Sequence, residues 1–311
     1  MKNNKRDSGI ILISVLWILA ILSLLALSLS RQNAIEVSLM QYGIGKARAY
    51  AASRAGINYC LYFLDKLPMD KDTLYASGIK IPQGKTAQDY FQGVKVGEGE
   101  HVEISYMSDD YRADKKIKYY GLADESRRIN VNSLNGTNSS VLSFLMQDRG
   151  VDKVLADSIA SAVVDWRVKK NRPFDAPQEL MMVKAMTPEI YSKIKDYLTV
   201  FPQQQSDLKI NFNTAPEPVV YAVLKLWAMN NGKTEADVSA AMRDIENQRD
   251  NGQSANDASF EKPWQSLNTE KAESYWIRSV GIDENSHTRV VIEAVVGQTI
   301  AGWAIQSWQR S

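Results

Sequence analysis

The stretch that decides the fold of this chain is "DSGIILISVLWILAILSLLALSLSRQNAIEV", residues 7–37. Within it, the 21 residues from Ile10 to Ser30 carry no charged side chain. At the 1.5 Å rise of an α-helix this run spans about 30 Å, the thickness of the hydrocarbon core of a bilayer. Three basic residues precede the run: Lys2, Lys5 and Arg6. Their positive charge predicts a cytoplasmic N-terminus and a membrane-spanning helix after it.

Three kinds of segment fit such a run. A cleaved secretory signal has a shorter apolar region, about 7–15 residues, that ends in a small-x-small site. Ala26-Leu27-Ser28 could act as that site. The run also fits a plain single-pass anchor. The third interpretation is a membrane helix that continues into a globular domain, and it depends on the residues that follow.

The residues after the apolar run are also predicted to be helical. Arg31–Leu67 contains no Pro and is rich in residues that favour helices. Apolar residues at i, i+7, i+11 and i+14 form one predicted face: Tyr50, Ile57, Leu61 and Leu64. Three glycines are expected to weaken the helix and to permit a local bend: Gly43, Gly45 and Gly56. The two halves together predict one helix over 10–67, about 85 Å long.

Beyond residue 68 the pattern changes from helix to strand and back. Short alternating runs such as "GVKVGEGEHVEISYMSDD" (93–110) predict antiparallel strands and hairpins. Helical patterns follow in two clusters, and strand patterns return from "SYWIRSVGI" (274–282) onward. The predicted fold is therefore α+β. A long N-terminal helix packs on an antiparallel sheet, and a large helical domain is inserted between strands. The helical patterns of this insert resemble those of SAM-like or helix-hairpin-helix-like domains.

Local signals within the helical clusters predict caps and a buried face. "DAPQELMMV" (175–183) is expected to begin an Asp-capped, Pro-initiated helix, and Thr187 is expected to cap the next one. Four residues of the preceding helix are predicted to lie on one side: Val154, Ile159, Val163 and Trp166.

The overall composition excludes several classes of function. The chain has 37 basic and 36 acidic side chains, a net charge of +1, which argues against a DNA-coating role. The single cysteine, Cys60, excludes an intramolecular disulfide and a thiolate zinc cluster. The two histidines are isolated in the sequence, and no G-x-S-x-G or H-E-x-x-H motif occurs. The chain is therefore not expected to be an enzyme.

A basic leader that ends in Gly, followed by an apolar run that continues into a long helix, resembles the type IV pilin and pseudopilin superfamily. The resemblance implies that a membrane-embedded prepilin peptidase cuts between Gly9 and Ile10 and methylates the new N-terminus. Most members carry Glu at the fifth mature position, where this chain has Ser14. The minor pseudopilin K family of type II secretion systems lacks that Glu, and a subunit at the tip has no subunit above it to pair with.

Further motifs extend the resemblance to the K family along the chain. Four stretches match its landmarks in order: "RAYAASRAGINYCLYFL", "DESRRINVNSLN", "INFNTAPEPVVYAVL" and "SYWIRSVGI…TRVVIEAVV". The implied organisation has six parts: leader 1–9, membrane half-helix 10–30, periplasmic half-helix 31–67, first strands 68–123, inserted domain 124–270 with subdomains of about 124–200 and 201–270, and closing strands 271–311.

The resemblance also implies a location and partners. The chain would span the inner membrane once, with its N-terminus in the cytoplasm and its C-terminal domain in the periplasm, and would lie at the pseudopilus tip after assembly. The implied partners are the minor pseudopilins of the I and J types, the major pseudopilin, the prepilin peptidase, the inner-membrane assembly platform and exported proteins. The segment around Ser23, Ala26 and Ser28 suits close helix packing in lipid.

Calcium is the one cofactor that the resemblance raises. Members of the K family can bind it, and Ca²⁺ needs several converging oxygen ligands. This chain departs from the family where further acidic residues are usual, since it reads "DWRVKKNRPFDAPQEL" (165–180). Asp124, Glu125 and Asp165 remain as candidate ligands, with helix caps or solvated charges as the alternative roles.

The alternative function is a type IV pilus-like or competence-like minor pilin whose insert binds DNA. "INFNTAPEPVVYAVL" (210–224) also resembles the start of helix-hairpin-helix modules, whose Gly-rich turn presents backbone amides to a phosphate. The corresponding turn here, "VKAMTPE" (183–189), has Ala185 where such a turn needs Gly. A small basic patch, Lys169, Lys170 and Arg172, lacks interleaved aromatic residues. Nucleic acid is therefore not the expected partner.

Overall fold

A computed structural model of the chain describes residues 7–66, 85–110, 113–203, 207–250, 264–269 and 272–310. Its first element, α1 (Asp7–Lys66), is a single helix of 60 residues, about 90 Å long. The prediction of one helix through both the apolar and the polar half is confirmed. The three glycines neither melt nor interrupt it.

The remaining elements form a sheet and a helical block. In chain order they are α2 (Ala87–Phe91), β1 (Val94–Lys95), β2 (Glu100–Asp110), β3 (Ala113–Tyr120), β4 (Ala123–Asp124), β5 (Ile129–Asn130), α3 (Ser140–Asp148), α4 (Lys153–Lys170), α5 (Pro188–Ile194), β6 (Leu198–Thr199), α6 (Glu217–Asn230), α7 (Glu235–Asp250), β7 (Ser274–Asp283), β8 (Thr288–Thr299) and β9 (Gly302–Arg310). Short 3₁₀ helices connect several of them.

The sheet is antiparallel and has the order β1-β2-β7-β8-β9, with β3 also paired to β2 and β4 to β7. Strands from before and after the helical block pair directly, since Asp124 of β4 lies opposite Tyr275 of β7. The helices therefore lie in an insertion between two adjacent strands. The predicted fold class is confirmed, while the residue boundaries 124–270 of the insert stay a prediction.

The second half of α1 packs on β7 and β8 through small residues. Gly45, Ala49, Ser53 and Gly56 are buried against the sheet. The face predicted from larger side chains is partly wrong, because Ile57 and Leu64 are buried but Tyr50 and Leu61 lie half-buried at its flanks. Hydropathy spacing gives little weight to Gly and Ser, which are the residues that let the helix approach the strands.

The buried apolar residues of the described part of the chain form two hydrophobic clusters. One lies between α1 and the sheet and includes Ile57, Ile104, Ile277 and Ile292. The other fills the insert, where α3 packs on both α4 and α6. Val295 of β8 belongs to the insert cluster, and Trp276 of β7 packs against that cluster, so the insert rests on the sheet face opposite α1.

Two local predictions in the insert are wrong. Val154 is 77% exposed, because the buried positions of α4 begin at Ala156, and two residues turn a helix by about 200°. The segment from Pro177 is a 3₁₀ helix capped by Ala176, whereas the Asp175 carboxylate pairs with Arg172.

Two other predictions in the insert agree with the structure. The Thr187 hydroxyl accepts a hydrogen bond from the Ile190 backbone N–H at 3.2 Å, as predicted for the cap of α5. Ile159 and Val163 are buried, while Trp166 is half-buried and stacks on Phe174 with 4.4 Å between ring centroids.

Candidate membrane anchor and insert junction

The first half of α1 carries an apolar surface that nothing in the described chain covers. Its large side chains from Leu12 to Leu29 are all exposed. The part of α1 from Leu12 to Asp65 contains an 18-residue stretch of mean hydropathy 2.7, and none of that stretch is buried in the protein. By length and composition this helix can cross a membrane. The core helix of a water-soluble domain would instead bury such a stretch.

The predicted processing site lies at the start of this helix. Gly9 and Ile10 are in the first turn of α1, which begins at Asp7. Ser14 follows Ile10 by about one turn, and its side chain is exposed. Cleavage between Gly9 and Ile10, and the role of Ser14, stay predictions.

The apolar surface of α1 extends beyond a membrane-spanning length. Six large apolar side chains after Arg31 are more than half exposed: Ile35, Val37, Leu39, Met40, Tyr42 and Ile44. From Leu12 onward, the first buried residue of α1 is Gly45, where an added Cβ would meet the Ser286 side chain. Because these six residues lie all round the helix, they can meet several neighbouring helices at once. A protruding helix of this kind suits assembly with other helices.

Asp124 lies at the junction between the sheet and the insert. Its Oδ1 accepts a hydrogen bond from the Ser126 backbone N–H at 2.7 Å, and its Oδ2 accepts one from the Asn211 side-chain amide at 2.8 Å. Burial raises the pKa of the Asp124 carboxyl, and the hydrogen bonds from Ser126 and Asn211 oppose that rise. The side chain therefore ties β4 to the residues that precede α6.

Glu125, the next residue, connects the same junction to the other half of the insert. Its Oε1 accepts a hydrogen bond from Arg128 Nη1 at 3.0 Å, and the Thr199 hydroxyl donates to its Oε2. The Asn211 backbone N–H donates to the Ser126 carbonyl at 2.9 Å. Both carboxylates therefore bind donors of the protein and hold the two halves of the insert together.

The three calcium candidates do not come together. Asp165 is exposed on α4, whereas Asp124 and Glu125 are buried at the junction. Among the residues that the structure describes, no group of three or more His, Cys, Asp or Glu side chains could hold a metal ion. Asp124 caps the following 3₁₀ helix, which is one of the alternative roles weighed from the sequence. Glu125 is neither a cap nor a solvated charge, because it is buried and pairs with Arg128.

The turn compared with helix-hairpin-helix modules has an unexpected backbone. Ala185 has φ of 68°, in the left-handed region that favours glycine. The left-handed backbone of this turn therefore forms with Ala185 at the position where a helix-hairpin-helix turn needs Gly. Of the nearby basic residues, Arg172 pairs with Asp175 and Glu179, so part of the predicted basic patch is neutralised within the insert.

A crevice lies between the insert and the outer part of the sheet, and no sequence pattern predicts it. It has a volume of about 420 Å³. Residues from both parts line it, including Tyr191 and Lys195 of the insert and Glu293, Ser307 and Gln309 of the sheet. Because the residues of its two walls are at least 75 positions apart in the chain, no local pattern could predict it.

Sequence comparison identifies no relative, since no family model and no curated protein matches the chain. Structure comparison finds a similar fold. A chain in the crystal structure of the GspK–GspI–GspJ complex from the type 2 secretion system of enterotoxigenic Escherichia coli is similar, with a TM-score of 0.50 and 12% sequence identity. The match covers 89% of this chain and 99% of that one. At the level of fold, the protein is therefore similar to a GspK-type subunit of the type 2 secretion system, as its sequence motifs predicted.

Proposed function

We propose that this protein is a minor pseudopilin of the K type, which acts by assembly and not by catalysis. The observation that carries the proposal is a long helix, apolar and uncovered in its first half, joined to a sheet whose strands β4 and β7 enclose a helical insert. The similarity in fold to a chain of the GspK–GspI–GspJ complex supports it. The motifs quoted from the sequence are independent support.

The anchor gives the protein its location in this proposal. Ile10–Ser30 spans the inner membrane once, with the N-terminus in the cytoplasm and the sheet and insert in the periplasm. The prepilin peptidase removes residues 1–9 and methylates Ile10. The protein then leaves the membrane as α1 joins the helices of neighbouring subunits, through the apolar side chains between Ile35 and Ile44.

The insert places the protein at the tip of the pseudopilus in this proposal. The helical insert on the sheet face opposite α1 leaves little room for a further subunit above this one. Because the fifth mature residue is Ser14 and not Glu, the chain also has no carboxylate there that could pair with the N-terminus of such a subunit. The partners below are minor pseudopilins of the I and J types, and the major pseudopilin continues the filament on the assembly platform. The assembly supports the export of folded proteins.

Mass spectrometry of the chain purified from membranes tests the processing. The expected product begins at methylated Ile10. A product that begins near Leu29 would identify a secretory signal instead, and an uncut chain would identify a plain anchor.

Co-purification with I-type and J-type pseudopilins from the same genome tests the assembly. A stable complex is expected. Tight, salt-sensitive binding of duplex DNA without such a complex would favour the competence-like alternative.

A further inference from the structure

The outer edge of β9 is an open strand edge. β9 is the end of the sheet path and pairs only with β8 among the described residues. Seven consecutive residues, Ala304–Arg310, are exposed. At about 3.3 Å per residue, the nine residues of β9 offer an edge of about 30 Å.

This edge has few of the features that usually protect an edge strand. Soluble proteins block exposed edges with Pro, Lys, inward-pointing charges, β-bulges or very short strands. Of these features β9 has one, a bulge at Gln306. β9 reads "GWAIQSWQR" and contains no Pro, Lys, Asp or Glu. Its one charged residue, Arg310, lies over the Tyr50 ring of α1, 5.1 Å from the ring centroid. At the other end of the path, β1 has only two residues.

One side of the edge is apolar. Ile305 and Trp308 are 42% and 38% exposed. They lie opposite Val296 and Ala294, which belong to the cluster between α1 and the sheet. The register shift in β9 leaves Gln306 as an extra residue, so Ile305 and Trp308 stay on the same side although three positions separate them.

The other side of the edge faces the crevice between the sheet and the insert. Ser307 and Gln309 of β9 line this crevice of about 420 Å³, with Glu293 beside them and Lys195 on the insert wall. Side chains of a strand alternate between its two sides. A strand added to β9 would therefore place one set of side chains in the crevice and the other set beside Ile305 and Trp308.

From this arrangement we infer that β9 binds an extended segment of a neighbouring subunit by strand addition. The row of backbone groups on the edge selects an extended chain, and the crevice selects polar side chains at alternate positions. The segment should carry apolar or aromatic residues at the positions between. This inference rests on the proposed function, because Arg310 of β9 lies over the ring of Tyr50, which is six residues along α1 from Ile44, the last of the exposed apolar residues that the proposal gives to neighbouring subunits.

Hydrogen exchange of the full-length chain in detergent tests this inference. The chain is measured alone and in complex with the I-type and J-type pseudopilins of the same genome. Amides on the outer edge of β9, between Trp303 and Arg310, are expected to exchange at least tenfold more slowly in the complex. A complex that forms while β9 exchanges as fast as in the free chain would overturn strand addition and leave the proposed function intact.

Three substitutions sharpen the test. Ile305→Lys places a charge on the edge, and Ser307→Trp fills the crevice without changing the apolar side. Each is expected to weaken the complex at least tenfold. Val168→Lys, at a position on α4 that is 74% exposed, is the control and should change the affinity less than twofold. Thermal unfolding of each variant shows whether it folds, and the exchange result stands without any variant.

Two further outcomes of the exchange experiment would also overturn strand addition by a subunit. If the unaltered chain forms no complex with either partner, the proposed function fails and the choice of a subunit as partner fails with it. If β9 is protected only when an exported protein is added, the edge binds cargo, and the inference of a subunit is overturned.

Discussion

Ala185 is held in a backbone conformation that costs a residue with a Cβ roughly 1–2 kcal/mol. Glycine adopts the same conformation freely but loses about 0.5–1 kcal/mol more backbone entropy on folding. We therefore expect Ala185→Gly to raise the free energy of unfolding by about 0.5–1 kcal/mol. Thermal unfolding of the detergent-solubilised chain, followed by circular dichroism, measures the change.

Ala240→Gly is the matched control for this prediction, because Ala240 is exposed within α7 of the same insert. There glycine should cost about 1 kcal/mol, as at any helical position. If both variants lose stability equally, the turn at Ala185 is not strained.

Asp124 makes the stability of the junction depend on pH. Burial raises the pKa of this carboxyl in the folded chain. Such a group contributes stability that is fully present below the unfolded pKa, about 3.9, and is lost as the pH rises through the folded pKa. The stability of the unaltered chain relative to Asp124→Asn, which cannot titrate, should therefore fall as the pH rises from about 3 to 7.

Thermal unfolding of both chains across this range measures the difference, since the other titrating groups are common to both. Asp165→Asn is the control, because Asp165 is exposed on α4. This variant removes a solvent-exposed carboxylate instead of the buried one. A difference for Asp124→Asn that grows with pH would contradict the buried junction.

Between elements, the decisive contact is the approach of α1 to β7. Ser53 Oγ donates a hydrogen bond to the Ser279 carbonyl, and Ser279 Oγ donates one to the Ser53 carbonyl, each at 2.8 Å. A Cβ at Gly281 would lie 2.0 Å from the Ala49 carbonyl oxygen and 2.3 Å from the Ser53 backbone nitrogen. Because both are backbone atoms of a helix, they cannot move aside without shifting α1.

We therefore expect Gly281→Ala to lower the free energy of unfolding by about 1–3 kcal/mol. Gly43→Ala adds the same methyl group to a helix position with no atom within 4 Å, and should raise it by about 0.5–1 kcal/mol. Thermal unfolding in detergent measures both changes. Equal effects of the two substitutions would show that α1 does not lie close to β7.

The sequence predicted elements better than the contacts between them. The apolar run and the Pro-free stretch after it were enough to predict α1, because helix formation depends on local residues. The face of α1 that packs on the sheet was predicted only in part, since Gly56 and Ser53 have no hydropathy signal. Their partner Ser279 is 226 residues from Ser53 along the chain.

The same limit applies to the candidate site. The apolar, uncovered helix is a local feature, and residues 10–30 were enough to predict it. The roles of Asp124 and Glu125 were not, because their partners Asn211 and Thr199 lie 87 and 74 residues away. The open edge of β9 and its crevice depend on how the sheet and the insert meet, which no single stretch of sequence determines.

For the whole molecule, the point where the chain leaves the sheet is also the point where it returns. Asp124 lies opposite Tyr275 in adjacent antiparallel strands, so a hairpin of about 2–5 residues could join β4 to β7 in place of the insert. Among the described residues that such a loop would replace, 125–273, only Ala272 belongs to the cluster between α1 and the sheet. Removal of the insert would expose the sheet face opposite α1, because Trp276 and Val295 on that face pack on the insert.

A shortened chain has a four-residue loop in place of residues 125–273 and carries Trp276→Thr and Val295→Thr. We expect this chain to fold with α1 on the sheet. Under the proposed function it loses the bulk that makes this subunit terminal, so it should be found along isolated pseudopili as well as at their ends. Immunolabelling of the isolated filaments measures the position, and the full-length chain with the same two substitutions is the control. If the shortened chain still lies only at the ends, the insert is not what makes the subunit terminal, and Ser14 becomes the remaining feature of the chain that can account for a place at the tip.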